Sequence, residues 1–283
     1  MTESEKGTAR RVTPRSWSTL TIAGAAVGVA LAGSAQADTF TITTGGPETL
    51  WLTQTEGGEG GEGGEGGEGG SGAVPEVVVE FLTDLGLVEG HLRAGVELYR
   101  AGLADQAKTH MKHPQDEIYE DLKGHLDEFG AEDFAEELTA LAEAVEAGKP
   151  VEEVEAALAE VLKEIDEARE HSGASEPEEA EAILALMRHA AEEYDEGIKD
   201  GAVSELHEYQ DAWGFVQTAR ALAAHMAGED DAAEKAFGEK AVAAIDETAP
   251  GFPSISPEGS VEADAGLILA AAAKVELAAY KLK

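Results

Sequence analysis

From Val74 to Lys283 the chain repeats apolar residues at the three- and four-residue spacing of amphipathic helices, and this pattern constrains the fold most. Ala, Leu and Glu, which favour helices, are common there, and Gly or Pro interrupts the pattern at intervals typical of helix ends. About 210 residues suffice for one core, so we predict an all-α fold, a multi-helix bundle of helical hairpins. The predicted helices are 75–101, 104–112, 115–128, 131–147, 151–171, 177–199, 202–227, 230–247 and 260–281.

The first 37 residues have the composition of a secretory signal peptide. Arg10, Arg11 and Arg15 form a basic start, the apolar stretch LTIAGAAVGVALAGSA follows, and Ala-Gln-Ala at 35–37 fits a cleavage site. The apolar run is shorter than the ~20 residues that a spanning helix needs. We therefore predict a signal peptide at 1–37, export to the periplasm or beyond, and no membrane insertion after cleavage.

Residues 38–73 form a predicted exported segment that precedes the helical domain at 74–283. Within it, residues 56–72 read EGGEGGEGGEGGEGGSG, a composition that cannot bury apolar surface. We interpret this stretch as a disordered acidic tether. The β-branched residues around Gly-Gly-Pro in 38–55 suggest a small hairpin, and whether that part is ordered stays open.

The charge of the chain limits its partners. The formal net charge is -38, and residues 1–37 carry four basic and two acidic residues, which leaves -40 for the remainder. Such a field repels nucleic acids and anionic lipids, and it attracts cations and basic proteins. The chain has no cysteine, which excludes disulfides, c-type haem attachment, thiolate zinc sites and iron–sulfur clusters.

Several ionisable residues fall on the apolar faces of the predicted helices when each helix is projected at about 100° per residue. A buried carboxylate costs several kcal/mol unless it is paired or bound to metal. Carboxylates and imidazoles that project into a helical bundle are the ligands of di-iron and di-manganese sites. The sequence therefore predicts a site for iron or another divalent transition metal. Its candidate ligands are Glu89, His91, His110, His113, Glu205 and Glu208.

The carboxylates among these candidates also have a structural interpretation. Arg93 follows Glu89 at the i+4 position, which suits a salt bridge. Glu205 and Glu208 can pair with Arg220 on the same predicted helix. For each residue taken alone, an ion pair at the edge of the apolar face is favoured over a metal, whereas for the whole set the two interpretations are balanced.

The histidines have a similar alternative. His110 fits a hydrogen-bonded core histidine, and His113 fits an N-cap because Pro114 disfavours helical geometry in the residue before it. The remaining histidines project away from the apolar faces or lie at helix ends, so we predict that they are on the surface. They are His125, His171, His189, His207 and His225.

Two stretches resemble known families. Residues 88–122, VEGHLRAGVELYRAGLADQAKTHMKHPQDEIYEDL, resemble uncharacterised all-helical proteins exported by proteobacteria. Residues 192–219, EEYDEGIKDGAVSELHEYQDAWGFVQTA, are similar to the helical extracytoplasmic segments of bacterial high-affinity iron permeases and, more loosely, to imelysin-like proteins. The His-x-x-Glu motif of imelysins is not evident at a matching position, and the Arg-Glu-x-x-Glu motif of the permease membrane helices is absent. The resemblance implies an extracytoplasmic setting and a role connected with iron or another metal.

Three functions remain open from the sequence. The first is an exported bundle that binds a transition metal, iron above all, for uptake, storage or delivery, with a metal permease as a possible partner. The second is an acidic interaction module that docks on a basic or membrane-bound protein without metal. The third, less favoured, is haem binding through His110 or Met111. Enzyme activity is less favoured than any of these three functions, because the chain has no nucleophile elbow, phosphate loop, zincin motif or dinucleotide fingerprint.

Overall fold

The computed structural model describes residues 76–257, 260–261 and 264–282. The predicted signal peptide and tether lie outside the described residues. Within them the regular secondary structure is helical apart from one two-stranded hairpin, so the predicted all-α bundle is confirmed. The elements are α1 (Glu76–Arg100), α2 (Ala104–Glu117), α3 (Tyr119–Phe129), α4 (Ala135–Glu146), α5 (Val151–Ser172), α6 (Glu176–Gly197), β1 (Ile198–Lys199), β2 (Ala202–Val203), α7 (Leu206–Gly228), α8 (Ala232–Asp246) and α9 (Gly266–Ala279), with a 3-10 turn at Ala249–Gly251.

The helices enclose two clusters of buried apolar side chains where the sequence predicted one core. The first cluster lies among α1 to α5 and includes Phe81 and Leu122. The second lies among α6 to α9 and includes Tyr194 and Phe237. Helix α7 packs against α6 and α8 and also against α1, so it joins the two clusters. None of the helices in the described part is long and apolar enough to cross a bilayer.

Two glycines allow α1 and α7 to pack with their backbones in direct contact. A Cβ atom on Gly214 of α7 would collide with the carbonyl oxygen of Gly90 on α1. A larger residue at Gly214 would push the two helices apart, because the opposing atoms are backbone atoms that cannot rotate away. A larger residue at Gly90 would instead collide first with the ring of Phe215. This close approach brings His91, next to Gly90, within reach of Asp211, which lies three residues before Gly214.

The end of α2 differs from the sequence prediction. Proline removes a hydrogen-bond donor and favours the first turn of a helix, so a new helix was predicted after residue 114. In the structure α2 continues through Pro114 and ends at Glu117, and the backbone N–H of the C-cap residue Ile118 donates to the carbonyl of Pro114 at 3.1 Å. His113 is therefore a residue inside α2, and its predicted role as an N-cap is wrong.

The start of α7 also differs. The predicted helix at 202–227 begins only at Leu206, because residues 198–203 form a short antiparallel hairpin in which Ile198 pairs with Val203. The turn of this hairpin requires positive φ at Asp200 and Gly201, at 53° and 74°, which suits a glycine. The last predicted helix, 260–281, likewise begins later, at Gly266.

Candidate metal centre

Three imidazoles lie within hydrogen-bonding distance of a single carboxylate, that of Asp211 on α7. Nδ1 of His91 lies 2.6 Å from Oδ1 of Asp211, and Nδ1 of His110 lies 2.9 Å from the same oxygen. The second oxygen, Oδ2, lies 3.1 Å from Nδ1 of His207. Since an ionised carboxylate can only accept hydrogen bonds, each imidazole donates from Nδ1. Asp211, His91 and His110 are all buried, so this cluster lies in the interior.

The imidazoles come from three helices and pack against one another. His91 is on α1, His110 and His113 are on α2, and His207 precedes Asp211 by one helical turn on α7. The rings of His110 and His207 stack with centroids 4.3 Å apart, and the ring of His113 lies 4.6 Å from that of His91 and 4.9 Å from that of His207. Four of the eight histidines of the chain thus lie in one cluster.

Two glutamines fix the orientation of His110. Nε2 of its ring lies 2.9 Å from Oε1 of Gln210, and the amide nitrogen of Gln210 donates to Oε1 of Gln106 at 2.6 Å. Hydrogen bonds of this kind hold an imidazole in one rotation about its Cβ–Cγ bond. The ring of His110 is thereby held with Nδ1 directed at Asp211.

Acidic groups continue the cluster toward solvent. Oε2 of Glu208 lies 3.7 Å from Nδ1 of His207, and Glu193 on α6 faces Glu208. Burial and the negative charges of Glu208 and Asp211 raise the pKa of Glu193 to about 8. The hydrogen bond to Asp211 raises the pKa of His207, although partial burial opposes this shift. Burial would raise the pKa of Asp211, but its hydrogen bonds with His110, His207 and His91 outweigh burial and hold that pKa far below its usual value.

These side chains provide two sets of metal donors that share Asp211. His91, His110 and Asp211 form the buried set, and His207, Glu208 and Asp211 form a more exposed one, and in each set the ligand atoms lie within 4.8 Å of one another. Two imidazoles and one carboxylate are the donors of the facial triad that binds non-haem iron(II). Nε2 of His207 is buried and has no hydrogen-bond partner among the described residues. The donor types and their spacing therefore fit a transition-metal ion.

The structure places Glu89 outside this cluster. Its carboxylate accepts hydrogen bonds from Arg169 on α5 at 2.5 Å and from Arg93 at 2.7 Å, and Arg169 also donates to Asp166. Burial would raise the pKa of Glu89, but the charges of Arg169 and Arg93 outweigh it and lower that pKa below its usual value. Glu89 is thus buried, as its position on the apolar face predicted, and it is paired with arginines.

Glu205 also lies outside the cluster. It is exposed and is the N-cap residue of α7, whereas the wheel projection placed it on the buried face. The projection failed because it assumed a helix from residue 202, and the hairpin ends only at Val203. Of the six predicted ligands, His91, His110, His113 and Glu208 come together, and Glu89 and Glu205 do not.

Two members of the cluster were missed from the sequence. His207 was predicted to be on the surface, and Asp211 was not singled out. Their i, i+4 spacing places both on one side of α7, which is a usable signal for a pair of ligands. Asp211 is also flanked by the buried residues Gln210 and Ala212, an unusual setting for a carboxylate. Among the other predicted surface histidines, His189 has 44% of its side chain exposed.

The second half of the fold is similar to a known domain family. Residues 170–279 match the family model of the iron permease-associated 4-helix bundle domain. The matched segment contains α6 to α9, the four helices around the second cluster of buried side chains. The predicted similarity to helical segments of iron permeases is therefore confirmed. Comparison with curated proteins and with solved structures found no match.

The matched segment contains only part of the His/Asp cluster. His207, Glu208 and Asp211 lie within residues 170–279, whereas His91 and His110 precede them. The segment similar to that domain therefore contains the central carboxylate, and the helices before it contain the buried imidazoles.

Proposed function

We propose that this protein binds a transition-metal ion, iron above all, at the cluster centred on Asp211. The observation that carries the proposal is the convergence of two buried imidazoles, His91 and His110, on one buried carboxylate oxygen. When bound, the ion would accept electron pairs from these donors and replace the protons that they now share. His113 and His207, whose rings pack against this pair, would complete or shield the coordination.

The cost of burying these groups supports a functional role. Removing ionisable side chains from water costs several kcal/mol each, and packed apolar residues of similar volume often stabilise a core as well or better. Elsewhere in the chain a buried carboxylate is paired with arginine, as Glu89 is with Arg169. Around Asp211 the described ion pairs are made only by histidines, which are themselves metal ligands.

The choice of iron rests on two observations. The donors are imidazole nitrogen and carboxylate oxygen, with no cysteine in the chain, a combination that suits iron, manganese, zinc or copper(II) better than copper(I). The match to the iron permease-associated bundle favours iron among these. Because site affinity alone ranks copper and zinc above iron, availability in its compartment would also determine which metal is bound.

We further propose that the protein is exported and acts in uptake, storage or delivery of the metal, with a metal permease as partner. The basic and apolar start of the sequence supports export. The acidic surface would raise the local concentration of cations, and the more exposed donors, His207 and Glu208, lie where an ion would enter. The match to a domain associated with iron permeases supports the proposed partner.

Elemental analysis of tag-free protein, loaded anaerobically with iron(II) and desalted, tests this proposal. We expect at least one equivalent of metal in the wild type, much less in His110→Ala, and an unchanged amount in the control His189→Ala, since His189 is exposed, lies next to Glu192 and belongs to neither donor set. Circular dichroism establishes that both variants are folded. Equal metal content in wild type and His110→Ala would refute the site. A wild type that takes up no metal would leave the acidic interaction module as the function to test.

A further inference from the structure

The two oxygens of Asp211 face different donors. Oδ1 lies 2.6 Å from Nδ1 of His91 and 2.9 Å from Nδ1 of His110, whereas Oδ2 lies 3.1 Å from Nδ1 of His207. Glu208, the residue after His207, adds a carboxylate oxygen 3.7 Å from the same imidazole nitrogen. Each oxygen of Asp211 therefore has its own set of neighbouring ligand atoms.

A carboxylate that offers one oxygen to each of two ions is a common bridge in two-metal sites, where the ions lie about 3.5–4 Å apart. We propose that this centre holds two cations bridged by Asp211. The inner ion is bound by His91 and His110, and the outer ion by His207 and Glu208. This inference rests on the proposed function, because it specifies how many ions the same site takes and where each one lies.

The charges at the outer position support a second ion. Glu208 of α7 and Glu193 of α6 bring two carboxylates together there, beside that of Asp211. Among the described ion pairs, Glu208 is paired only with a histidine, and Glu193 has no lysine or arginine partner. A single divalent ion at the inner position would leave the carboxylate of Glu208 with His207 as its only described partner, whereas a second divalent ion would bind it directly.

Burial distinguishes the two ions. All three inner ligands are buried, whereas His207 and Glu208 are partly exposed. The outer ion can therefore be reached by water and by chelators without opening the helices, and the inner ion cannot. We expect the outer ion to exchange rapidly and the inner ion to remain through desalting.

Titration of the full-length, tag-free protein with Mn²⁺ tests this inference, because Mn²⁺ binds the same donor types and gives an electron paramagnetic resonance signal. We expect two equivalents for the wild type and a spectrum of two exchange-coupled ions. Glu208→Gln should bind one equivalent and give the spectrum of an isolated ion. Glu205→Gln is the matched control, since Glu205 is exposed at the start of the same helix, and it should keep two equivalents.

The outcomes separate this inference from the proposed function. One equivalent in the wild type, unchanged in Glu208→Gln, would overturn the two-ion centre and leave the single site at His91 and His110 standing. Two equivalents without exchange coupling would overturn the bridging role of Asp211. No Mn²⁺ bound at any concentration tested, together with no iron, would overturn both proposals.

Discussion

Substitution of Glu89 tests how much a buried ion pair contributes to the stability of this fold. Its side chain is 4% exposed and so is that of its partner Arg169, which lies 80 residues later on α5. The substitution Glu89→Ala would remove a buried acidic partner of the guanidinium of Arg169, which also contacts Asp166 at 2.9 Å. Breaking a buried pair in this way costs about 3–5 kcal/mol, and the contact with Asp166 places the expected loss near the lower end.

Urea unfolding of the metal-free protein, followed by circular dichroism at pH 7, measures this loss. The matched control is Glu97→Ala on the same helix, because Glu97 is 37% exposed and its pair with Arg100 should contribute less than about 1 kcal/mol. The pKa of Glu89 is lowered, so the stabilisation is present above its usual pKa of 4.5 and is lost as the pH falls through the lowered value. The difference between wild type and Glu89→Ala should therefore shrink in strong acid.

Two results would contradict this reasoning. A loss of less than about 1 kcal/mol for Glu89→Ala at pH 7 would mean that the ion pair with Arg169 does not hold α1 against α5. Loss of the bound metal from folded Glu89→Ala protein would mean that Glu89 is a ligand after all, as the sequence suggested.

Two further predictions concern packing and pH. Gly214→Ala should lower the free energy of unfolding by more than about 2 kcal/mol and weaken metal binding, because its Cβ would collide with the backbone of Gly90. In the control Gly124→Ala the added Cβ meets nothing within 4 Å, so this substitution should be neutral or stabilise the fold by about 0.5–1 kcal/mol. Urea unfolding and metal titration of both variants would check this, and equal stability would contradict it. Burial raises the pKa of Asp84 from 3.8 to about 6 beside His125, so ionisation of Asp84 destabilises the fold increasingly as the pH rises from 3.8 to about 6, and by a constant amount above that. Asp84→Asn should then gain about 1–2 kcal/mol at pH 7 and almost nothing at about pH 3, and a gain that does not depend on pH would refute the cause.

The helical periodicity predicted the fold well because it reports which face of each helix is buried. It could not predict where a helix starts when a hairpin replaces its first turn, and this is why Glu205 was placed in the core. It also ended a helix before Pro114, because proline disfavours a helix interior, whereas α2 continues through this residue to Glu117. Both errors are errors of boundary, and the second did not move His110 or His113 away from the cluster.

The candidate site was predictable only in part. His91 and His110 stood out because imidazoles on apolar faces are uncommon, and both take part in the cluster. Asp211 is the centre of the site because α1, α2 and α7 meet there. His91 and Asp211 are 120 positions apart, and a contact over that separation cannot be predicted from a single sequence. His207 was missed because it lies at the edge of its helix face, and only the position of α2 brings the ring of His110 to stack on it.

Anomalous diffraction at the iron absorption edge, from crystals of protein loaded anaerobically with iron(II), tests the central claim most directly. The account predicts a strong peak among His91, His110 and Asp211, within bonding distance of the imidazole nitrogens and the carboxylate, and a second peak beside His207 and Glu208. The absence of any peak at Asp211, with iron found only on exposed carboxylates or not at all, would contradict the claim that this cluster is a metal centre.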